Sequence, residues 1–505
     1  DAAALVDAIG RTRASDRADA VLWPDGGAPR VMESNRFLES LGYIHAALNV
    51  VDGELSLDAP SESWNGVAMV AMTEAFFASL GGDVSADASG ASELTISASA
   101  SDTLPDVFTR QAPIARTIGL DWELRSDSGW GVYGTNLTAA LARRGDIMPA
   151  IFLGDLRDTS PVIRRALEPI SHAASARAAV MNRTPAVPFA FDGVMLRALS
   201  NNMIPGPLWT RVQAQRNAGV IFFEDTHFDA NAIARANALD LIVTGSSWNE
   251  EVLRAQKIQH VVTVLQGIDP TVFHPAPRSG FLGDRFVVFS GGKLEYRKGQ
   301  DIVAASFRAF HQRHPEALLV AAWHNNWPQL ISDLDLAGHV TGHPLLADGE
   351  LQLTDWLGAN GIPRDAVLDI GRLPNAMMGQ LVREADVALF PNRCEGGTNL
   401  VAMECMACGV PTIVSNNTGH RDLVATGGCI PLKQQGTVTP PSRFFRGIDG
   451  WGESSVDEIV ATLERIYDDR AVAASIAQRG ADALAAMSWR AQTDRFIDAI
   501  QPLFS

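Results

Sequence analysis

Cysteine is scarce in this sequence of 505 residues, and all four cysteines lie between residues 394 and 429. Thiols so few and so clustered do not suit the disulfide framework of a secreted protein, whereas they suit a reducing, cytoplasmic compartment. Cys405 and Cys408 have the CxxC spacing of a zinc knuckle, but they fall on a predicted helix whose face is otherwise apolar. We therefore expect buried free thiols and no metal site.

Positive charge is also in deficit, since 41 Lys and Arg stand against 58 Asp and Glu, for a net charge of −17. Nucleic acids and anionic membranes are bound through an excess of basic residues, so we expect no nucleic-acid partner and at most a peripheral membrane association. No apolar run approaches the roughly 20 residues that span a bilayer. Residues 1–27 lack a basic segment followed by an apolar one, so we expect no secretory signal there, although a leader removed before Asp1 is compatible with the sequence.

Lysine is absent from the first 115 residues, and a low-complexity tract occupies residues 83–102. Residues 63–80 are typical of an amphipathic or buried helix, and residues 93–99 are typical of a short strand. No binding or catalytic motif occurs in this part of the chain. We interpret residues 1–115 as an accessory domain of unknown role.

From residue 116 onward, short apolar runs alternate with helical patterns, as they do in βαβ units with buried parallel strands. The alternation is interrupted by a stretch rich in Pro and Gly and restarts near residue 276. This pattern predicts an α/β protein with two Rossmann-like, doubly wound domains, residues 116–275 and 276–487, on either side of a ligand cleft.

The stretch FSGGKLEYRKGQD, residues 289–301, follows a predicted strand that we expect to end at Ser290. A helix is expected to begin near Gln300, so Lys293 and Lys298 fall in a loop at the carboxyl end of a strand. Two ammonium groups near a helix N-terminus are suited to binding a diphosphate. A solvated basic loop would have the same spacing.

The stretch EGGTNLVAMECMACGVPTIVSN, residues 395–416, also follows a predicted strand. Gly396 and Gly397 allow a close approach of backbone amides to an anionic ligand, and Glu404 lies about one turn into the following helix. A carboxylate in that place suits the hydroxyls of a ribose, but it is also favoured there by the helix dipole. A hydrolytic pair formed by Glu395 and Glu404 is disfavoured, because one lies in a loop and the other on a helix.

Together these segments resemble a known enzyme family. GGKLEYRKG resembles the Gly-Arg-(x)n-Lys-Gly loop of retaining GT-B glycosyltransferases of glycosyltransferase family 4, also described as glycosyl transferases group 1. EGGTNLVAMECMACGVPTIVSNNTGHRDLV resembles the family's double-glutamate motif, and LQGIDPTVFHP resembles its linker between domains. The resemblance runs from residue 116 to the C-terminus. It implies a GT-B fold in which residues 116–275 form the acceptor domain, residues 276–487 form the donor domain, and residues 488–505 form a helix that packs back on the acceptor domain.

The resemblance implies a hexosyltransferase of polysaccharide or glycoconjugate biosynthesis. Such an enzyme moves a sugar from a UDP- or GDP-linked donor to a hydroxyl of a glycan, protein or small molecule, with retention, by same-face attack, and with no metal or cofactor. The catalytic positions it implies are Lys293, Lys298, Glu395 and His227. The donor-binding positions are Gly131, Gly292, Lys293, Lys298, Glu395, Gly396, Gly397, Thr398, Asn399, Leu400 and Glu404. Two features depart from the family pattern: lysine replaces the usual arginine at position 293, and one extra residue separates the two glutamates.

Two alternatives remain from the sequence. Gly129, Gly131 and Gly134 form a literal G-x-G-x-x-G, with Asp155 after the next predicted strand, as in an NAD-dependent oxidoreductase. The turn before the first glycine is longer than that fingerprint requires, and we expect these glycines to form a loop before a helix. The second alternative is a protein that binds nucleotide sugars without catalysis.

Overall fold

The computed structural model describes residues 116–505, except residues 126–127, 145, 154–155, 157–160, 184, 186, 326, 348 and 505. Closer to the N-terminus it describes three short strands that pair in antiparallel fashion: β1 (Leu48–Val51), β2 (Glu54–Leu57) and β3 (Thr95–Ile96). The strand predicted within residues 93–99 is present as β3. The helix predicted within residues 63–80 and Asp155 lie outside the described residues.

The first domain contains a sheet of seven strands: β4 (Arg116–Leu120), β5 (Ile147–Ile151), β6 (Phe189–Ser200), β7 (Ile204–Pro205), β8 (Val212–Ile221), β9 (Leu241–Thr244) and β10 (Val261–Thr263). Their order is β10-β9-β8-β6-β4-β5, all parallel, and β7 pairs antiparallel with β6. The helices of this domain are α1 (Gly129–Ala142), α2 (Pro161–Arg183), α3 (Ala230–Asn237) and α4 (Ser247–Ala255).

Helix α1 corrects one prediction. We expected a loop at Gly129, Gly131 and Gly134, but these residues form the first two turns of the helix. The helix begins here because Ser128 is its N-cap: the Ser128 hydroxyl accepts a hydrogen bond of 3.2 Å from the Gly131 amide. Capping therefore outweighs the low helix propensity of glycine.

The second domain is built on six parallel strands and also contains two separate two-stranded antiparallel sheets. Its strands are β11 (Val287–Lys293), β12 (Leu318–His324), β13 (Leu346–Ala347), β14 (Glu350–Leu351), β15 (Val367–Asp369), β16 (Val387–Phe390), β17 (Thr412–Ser415), β18 (Ile430–Leu432), β19 (Gln435–Gly436) and β20 (Glu453–Ser454). The sheet order is β15-β12-β11-β16-β17-β18, while β13 pairs with β14 and β19 with β20.

Seven helices belong to the second domain: α5 (Gln300–His311), α6 (Leu353–Ala359), α7 (Asn375–Arg383), α8 (Leu400–Ala407), α9 (His420–Val424), α10 (Val456–Asp468) and α11 (Arg470–Ala485). Helix α5 begins at Gln300, as predicted. The last helix, α12 (Trp489–Ile500), returns to the first domain, where Phe496, Ile497 and Ile500 are buried in the core that includes α1. Short 3₁₀ turns occupy residues 201–203, 296–298, 328–333, 364–366 and 501–504.

The strand order positions the site. In the second sheet the chain leaves β11 for β12 on one side and later fills the other side of β11 with β16. Loops that leave the carboxyl ends of such a neighbouring pair diverge, and the space between them is where open α/β sheets bind ligands. The loop after β11 carries Lys298, and the loop after β16 carries Glu395. The fold thus brings together the two segments that the sequence singled out.

Candidate functional site

The loops after β11 and β16 are joined through their backbones. The amides of Arg393 and Cys394 donate to the carbonyl oxygen of Arg297, at 2.7 and 3.2 Å. These bonds fix the lysine-containing loop directly against the residue that precedes Glu395. The contact links residues almost one hundred positions apart in the chain.

Lys298 and Glu395 consequently form a buried ion pair. The Lys298 ammonium donates to Glu395 Oε1, which also accepts a hydrogen bond from the Asn392 side chain. The Glu395 backbone amide donates to the Thr418 hydroxyl at 2.8 Å. Burial disfavours the charged form of Glu395, yet Lys298 and Arg297 outweigh it and lower its pKa to about 2. Glu395 is therefore a fixed anion at neutral pH.

Lys293 occupies the last position of β11, which corrects the prediction that the strand ends at Ser290. Its ammonium lies 3.5 Å from Glu295 and 4.9 Å from the centre of the half-exposed Trp327 ring. Gly292, just before it, has a φ of 123° and only the Lys298 side chain near its Cβ direction. Lys293 thus lies at the end of β11 and Lys298 in the loop that follows, and each lysine faces a different carboxylate.

Arg297 is a third cation beside these two lysines, and it was not predicted from the sequence. Its guanidinium lies 2.7 Å from Glu295, 3.1 Å from Glu224 of the first domain and 3.6 Å from Glu395. Only 7% of its side chain is exposed. We call these ionic groups the charged cluster: Lys293, Arg297, Lys298, Glu224, Glu295 and Glu395.

The charged cluster rests on a second buried cation, Arg393. Its guanidinium binds both carboxylate oxygens of Asp301, at 2.8 and 2.7 Å, as well as Glu453 and the Tyr296 carbonyl. The guanidinium also lies 3.8 Å from the centre of the Tyr296 ring. Because Asp301 belongs to α5 and Glu453 to β20, Arg393 holds three segments around the loop that carries Glu395.

Gly396 and Gly397 do not lie in open solvent but against the first domain. A Cβ on Gly396 would stand 2.4 Å from the carbonyl oxygen of Phe222, and one on Gly397 would stand 2.9 Å from the Gln266 side chain. The Ser246 hydroxyl donates to the Gly396 carbonyl at 2.7 Å. The glycine pair therefore allows the two domains to meet beside Glu395.

The residues that follow begin helix α8. Thr398 is fully buried, with its hydroxyl 3.4 Å from the Gln266 side chain. Asn399 has a left-handed φ of 62°, caps the helix and lies 3.0 Å from His420 Nε2 through its amide nitrogen. Burial lowers the pKa of His420 to about 4, so that this imidazole is neutral. Leu400 packs against the cores of both domains.

Glu404 lies one turn into α8, where the sequence placed it, and accepts a 2.6 Å hydrogen bond from Asn375. Burial raises its pKa to about 8, although the Asn375 hydrogen bond acts in the opposite direction. Glu404 therefore carries a proton at neutral pH. No prediction from the sequence addressed this protonation state.

Gly131 and Gly134 serve packing within the first domain. A Cβ on Gly131 would stand 2.6 Å from the Arg125 carbonyl oxygen, and one on Gly134 would stand 2.2 Å from Trp122 Nε1. Gly129 has no atom within 4 Å of the equivalent position. These contacts account for two of the three glycines without a dinucleotide, so the oxidoreductase alternative is not favoured.

His227 follows Glu224 of the charged cluster closely in the sequence, but the His227 side chain is exposed. Its backbone amide donates to Asp225 at 2.9 Å. The neighbouring Glu224, rather than His227, is the side chain of this segment that enters the charged cluster. Glu224 is not among the site residues predicted from the sequence.

The four cysteines are free and buried, as expected. Cys405 and Cys408 belong to the core beneath α8, and burial raises the pKa of both thiols. In the part of the chain that the structure describes, no helix has the length and apolar composition to cross a membrane.

Comparison with known proteins identifies the domain that holds most of the charged cluster. Residues 276–443 match the family described as Glycosyl transferases group 1. This group 1 domain supplies every member of the cluster except Glu224. The match contains two of the three segments that carried the resemblance, whereas LQGIDPTVFHP, residues 265–275, directly precedes it.

The chain is similar over part of its length to curated relatives that include a mannosyltransferase. The chain is 27% identical over 255 residues to a GDP-mannose-dependent alpha-(1-6)-phosphatidylinositol monomannoside mannosyltransferase of Mycolicibacterium smegmatis, covering 46% of this chain and 54% of that one. It is 26% identical over 231 residues to a glycogen synthase of Mycobacterium tuberculosis, covering 45% and 47%. The chain thus spans about half the length of these relatives.

Solved structures show the fold. Sucrose-phosphate synthase from Thermosynechococcus elongatus superposes with a TM-score of 0.53 at 16% identity, covering 77% of this chain and 99% of that one. Anabaena HepE in complex with UDP and glucose superposes with a TM-score of 0.50 at 13% identity, covering 77% and 100%. Beside the group 1 domain stands a second Rossmann-like domain, so the chain has the GT-B fold that the sequence predicted.

Proposed function

We propose that this chain is a retaining glycosyltransferase of glycosyltransferase family 4, which moves a sugar from a nucleotide-diphosphate donor to an acceptor hydroxyl. The observation that carries the proposal is the buried ion pair between Lys298 and Glu395. It joins a cation suited to a phosphate and an anion suited to sugar hydroxyls at the switch point of the sheet. The match to group 1 glycosyltransferases agrees with this chemistry.

The leaving diphosphate is held by Lys293 and Lys298 in this proposal. Burial lowers the pKa of Lys298, whereas the Glu395 carboxylate acts in the opposite direction and favours the ammonium. Cations fixed in a partly dry site stabilise the charge that develops on the leaving group without reorganisation. Because the chain itself supplies these charges, the proposed reaction needs no metal.

The transferred sugar is oriented by Glu395. Its carboxylate is held by Lys298, Asn392 and the neighbouring Arg297, so its lone pairs have a fixed direction. A pKa of about 2 keeps Glu395 ionised, so that both its oxygens can accept hydrogen bonds, but it also makes the carboxylate a weak base and a weak nucleophile. We therefore assign Glu395 to binding sugar hydroxyls and not to forming a covalent intermediate.

The bond changes then occur on one face of the sugar. The acceptor oxygen bonds to the anomeric carbon as the bond from that carbon to the phosphate oxygen breaks. The electron pair leaves with the diphosphate, and the acceptor's proton moves to a phosphate oxygen. Retention follows because the acceptor attacks the same face of the sugar from which the leaving group departs.

Glu404 holds the ribose of the nucleotide, which is UDP or GDP.

A donor screen tests the proposal. The purified chain is incubated with UDP- and GDP-linked hexoses and hexosamines, and release of the nucleoside diphosphate is measured with and without simple glycan acceptors. We expect turnover with at least one donor, and Lys298→Ala to lower it at least about hundredfold. Lys257→Ala, which removes an exposed lysine of the first domain, is the matched control and should be neutral.

Three outcomes separate the proposal from its alternatives. Binding of a donor without turnover under any condition would indicate a nucleotide-sugar binding protein. Binding of NAD without any nucleotide sugar would indicate the oxidoreductase. If turnover is found, NMR of the product gives its anomeric configuration, and inversion would refute the retaining mechanism.

A further inference from the structure

One ion pair of the charged cluster crosses between the two domains. Glu224 follows β8 of the first domain, and Arg297 belongs to the loop after β11 of the second. Their side chains are 3.1 Å apart and only 19% and 7% exposed. An ion pair shielded from water in this way is screened far less than one on the surface.

Arg297 connects this first-domain carboxylate to the donor site. One terminal nitrogen, Nη2, lies 3.1 Å from Glu224 and 2.7 Å from Glu295. The other, Nη1, donates to the Cys394 carbonyl at 3.2 Å and lies 3.6 Å from Glu395. A single planar guanidinium therefore contacts Glu224 at one end and the Glu395 loop at the other.

Residues 224–226 are held by residues 437–452, a segment of the second domain that we call the strap. Trp451 Nε1 donates to the Glu224 carbonyl at 3.0 Å. Asp225 accepts hydrogen bonds from the amides of Arg446 and Gly447, at 3.0 and 2.8 Å. Thr226 bonds to the strap through both its amide and its hydroxyl. The strap thus contacts the same short segment of the first domain that presents Glu224 to Arg297.

The formal charges of the cluster cancel when the domains are in contact. Three cations, Lys293, Arg297 and Lys298, face three carboxylates, and the first domain contributes one of the three, Glu224. Separation of the domains would remove Glu224 and leave the second domain with one excess positive charge.

We propose that Glu224 and Arg297 are positioning residues, whose ion pair forms when the domains meet and fixes the Glu395 loop in its working geometry. This inference rests on the proposed function of the same site. The second domain alone, with its excess positive charge, captures the diphosphate. Contact with Glu224 then orders the site for transfer.

The test compares Glu224→Gln with two other variants. Glu224→Asp keeps the carboxylate on a shorter side chain. Glu251→Gln is the matched control, because it breaks another ion pair between the domains, with Arg421, in which both side chains are exposed. Thermal unfolding of each variant confirms that it is folded.

The first readout separates binding from turnover. Glu224→Gln should lower kcat at least about tenfold, because small misplacement of reacting groups is costly. The dissociation constant for UDP or GDP, whichever the wild type binds, should stay equal or fall, because the cluster gains net positive charge. Glu224→Asp should recover part of the loss in kcat, and Glu251→Gln should stay within twofold of wild type.

The second readout does not depend on activity. Spin labels on Ala234→Cys in α3 and Ala461→Cys in α10, both exposed positions, report the distance between the domains. The four native thiols are buried, so labelling is confined to the introduced cysteines. Without nucleotide, Glu224→Gln should shift the distance distribution toward longer or broader values, and Glu251→Gln should not.

A Glu224→Gln protein with kcat within twofold of wild type would overturn the inference. The inference would also be overturned if Glu224→Gln weakened nucleotide affinity by the same factor as it lowered kcat. A third contrary result would be an inter-domain distance that changes no more in Glu224→Gln than in Glu251→Gln. If the wild type turns over no donor, the proposed function fails by itself. The distance measurement then decides alone whether Glu224 holds the domains together.

Discussion

Arg393 and Asp301 form a two-bond ion pair, at 2.8 and 2.7 Å, in which neither side chain is exposed. Arg393 belongs to the loop that carries Glu395, and Asp301 belongs to α5. Removing one partner of such a pair leaves the other charge buried without compensation.

The variant Arg393→Ala should therefore lower the free energy of unfolding by about 3–5 kcal/mol, measured by urea denaturation. Arg364→Ala, which removes an exposed ion pair with Asp355, is the control and should cost less than about 1 kcal/mol. Equal stability of the two variants would show that Asp301 finds another partner.

Glu404 should release a proton when nucleotide binds near pH 7. Burial gives it a pKa of about 8 in the free protein, so it begins mostly protonated. Two ribose hydroxyls donate best to the ionised carboxylate, which lowers its pKa in the complex. Nucleotide affinity should accordingly rise with pH and level off above about pH 8.

Calorimetry of nucleotide binding in two buffers of different ionisation enthalpy measures the released proton. Glu404→Gln has no proton to release and should abolish the buffer dependence. Identical heats for the wild type in both buffers would mean that Glu404 does not ionise on binding.

Glu395, unlike Glu404, should neither gain nor lose a proton between pH 5 and 9. With its pKa lowered to about 2, it stays ionised from pH 5 to 9. Glu395→Gln should reduce the transfer rate by about 10²–10³ and by the same factor at every pH. If the ratio of the wild-type rate to the Glu395→Gln rate changed between pH 5 and 9, Glu395 would not be ionised throughout that range. Glu251→Gln serves again as the neutral control.

Substitution of the α1 glycines by alanine should change the free energy of unfolding in opposite directions. Gly129→Ala has open space for its Cβ and should stabilise the protein by about 0.5–1 kcal/mol, since alanine is the better helix former. Gly134→Ala would place its Cβ 2.2 Å from Trp122 and should destabilise it. Urea midpoints of both variants provide the measurement. A destabilising Gly129→Ala would point to a contact at that position.

The alternation of short apolar runs was sufficient to predict two parallel sheets, because buried parallel strands carry that pattern in every sequence. It did not reveal β6, where Asp192 and Arg197 interrupt the apolar run. Arg197 is buried because Asp121, 3.6 Å away, comes from a distant part of the chain. A partner of that kind has no local signal.

Part of the candidate site was also predictable from the sequence. Lys298 and Glu395 lie in loops with recognisable spacing, and the structure brings them into contact. Arg297 and Glu224 were missed because their importance depends on a contact between two domains. The protonated state of Glu404 was missed because burial, and not sequence spacing, determines it.

The close packing of Gly396 on the Phe222 carbonyl has a consequence for protein engineering. Exchange of one domain for that of another protein would have to preserve this contact. The surface that Gly396 meets is backbone of the first domain, which cannot adjust as a side chain can. A hybrid that takes its second domain from this chain should need residues 222–227 to be transplanted with it.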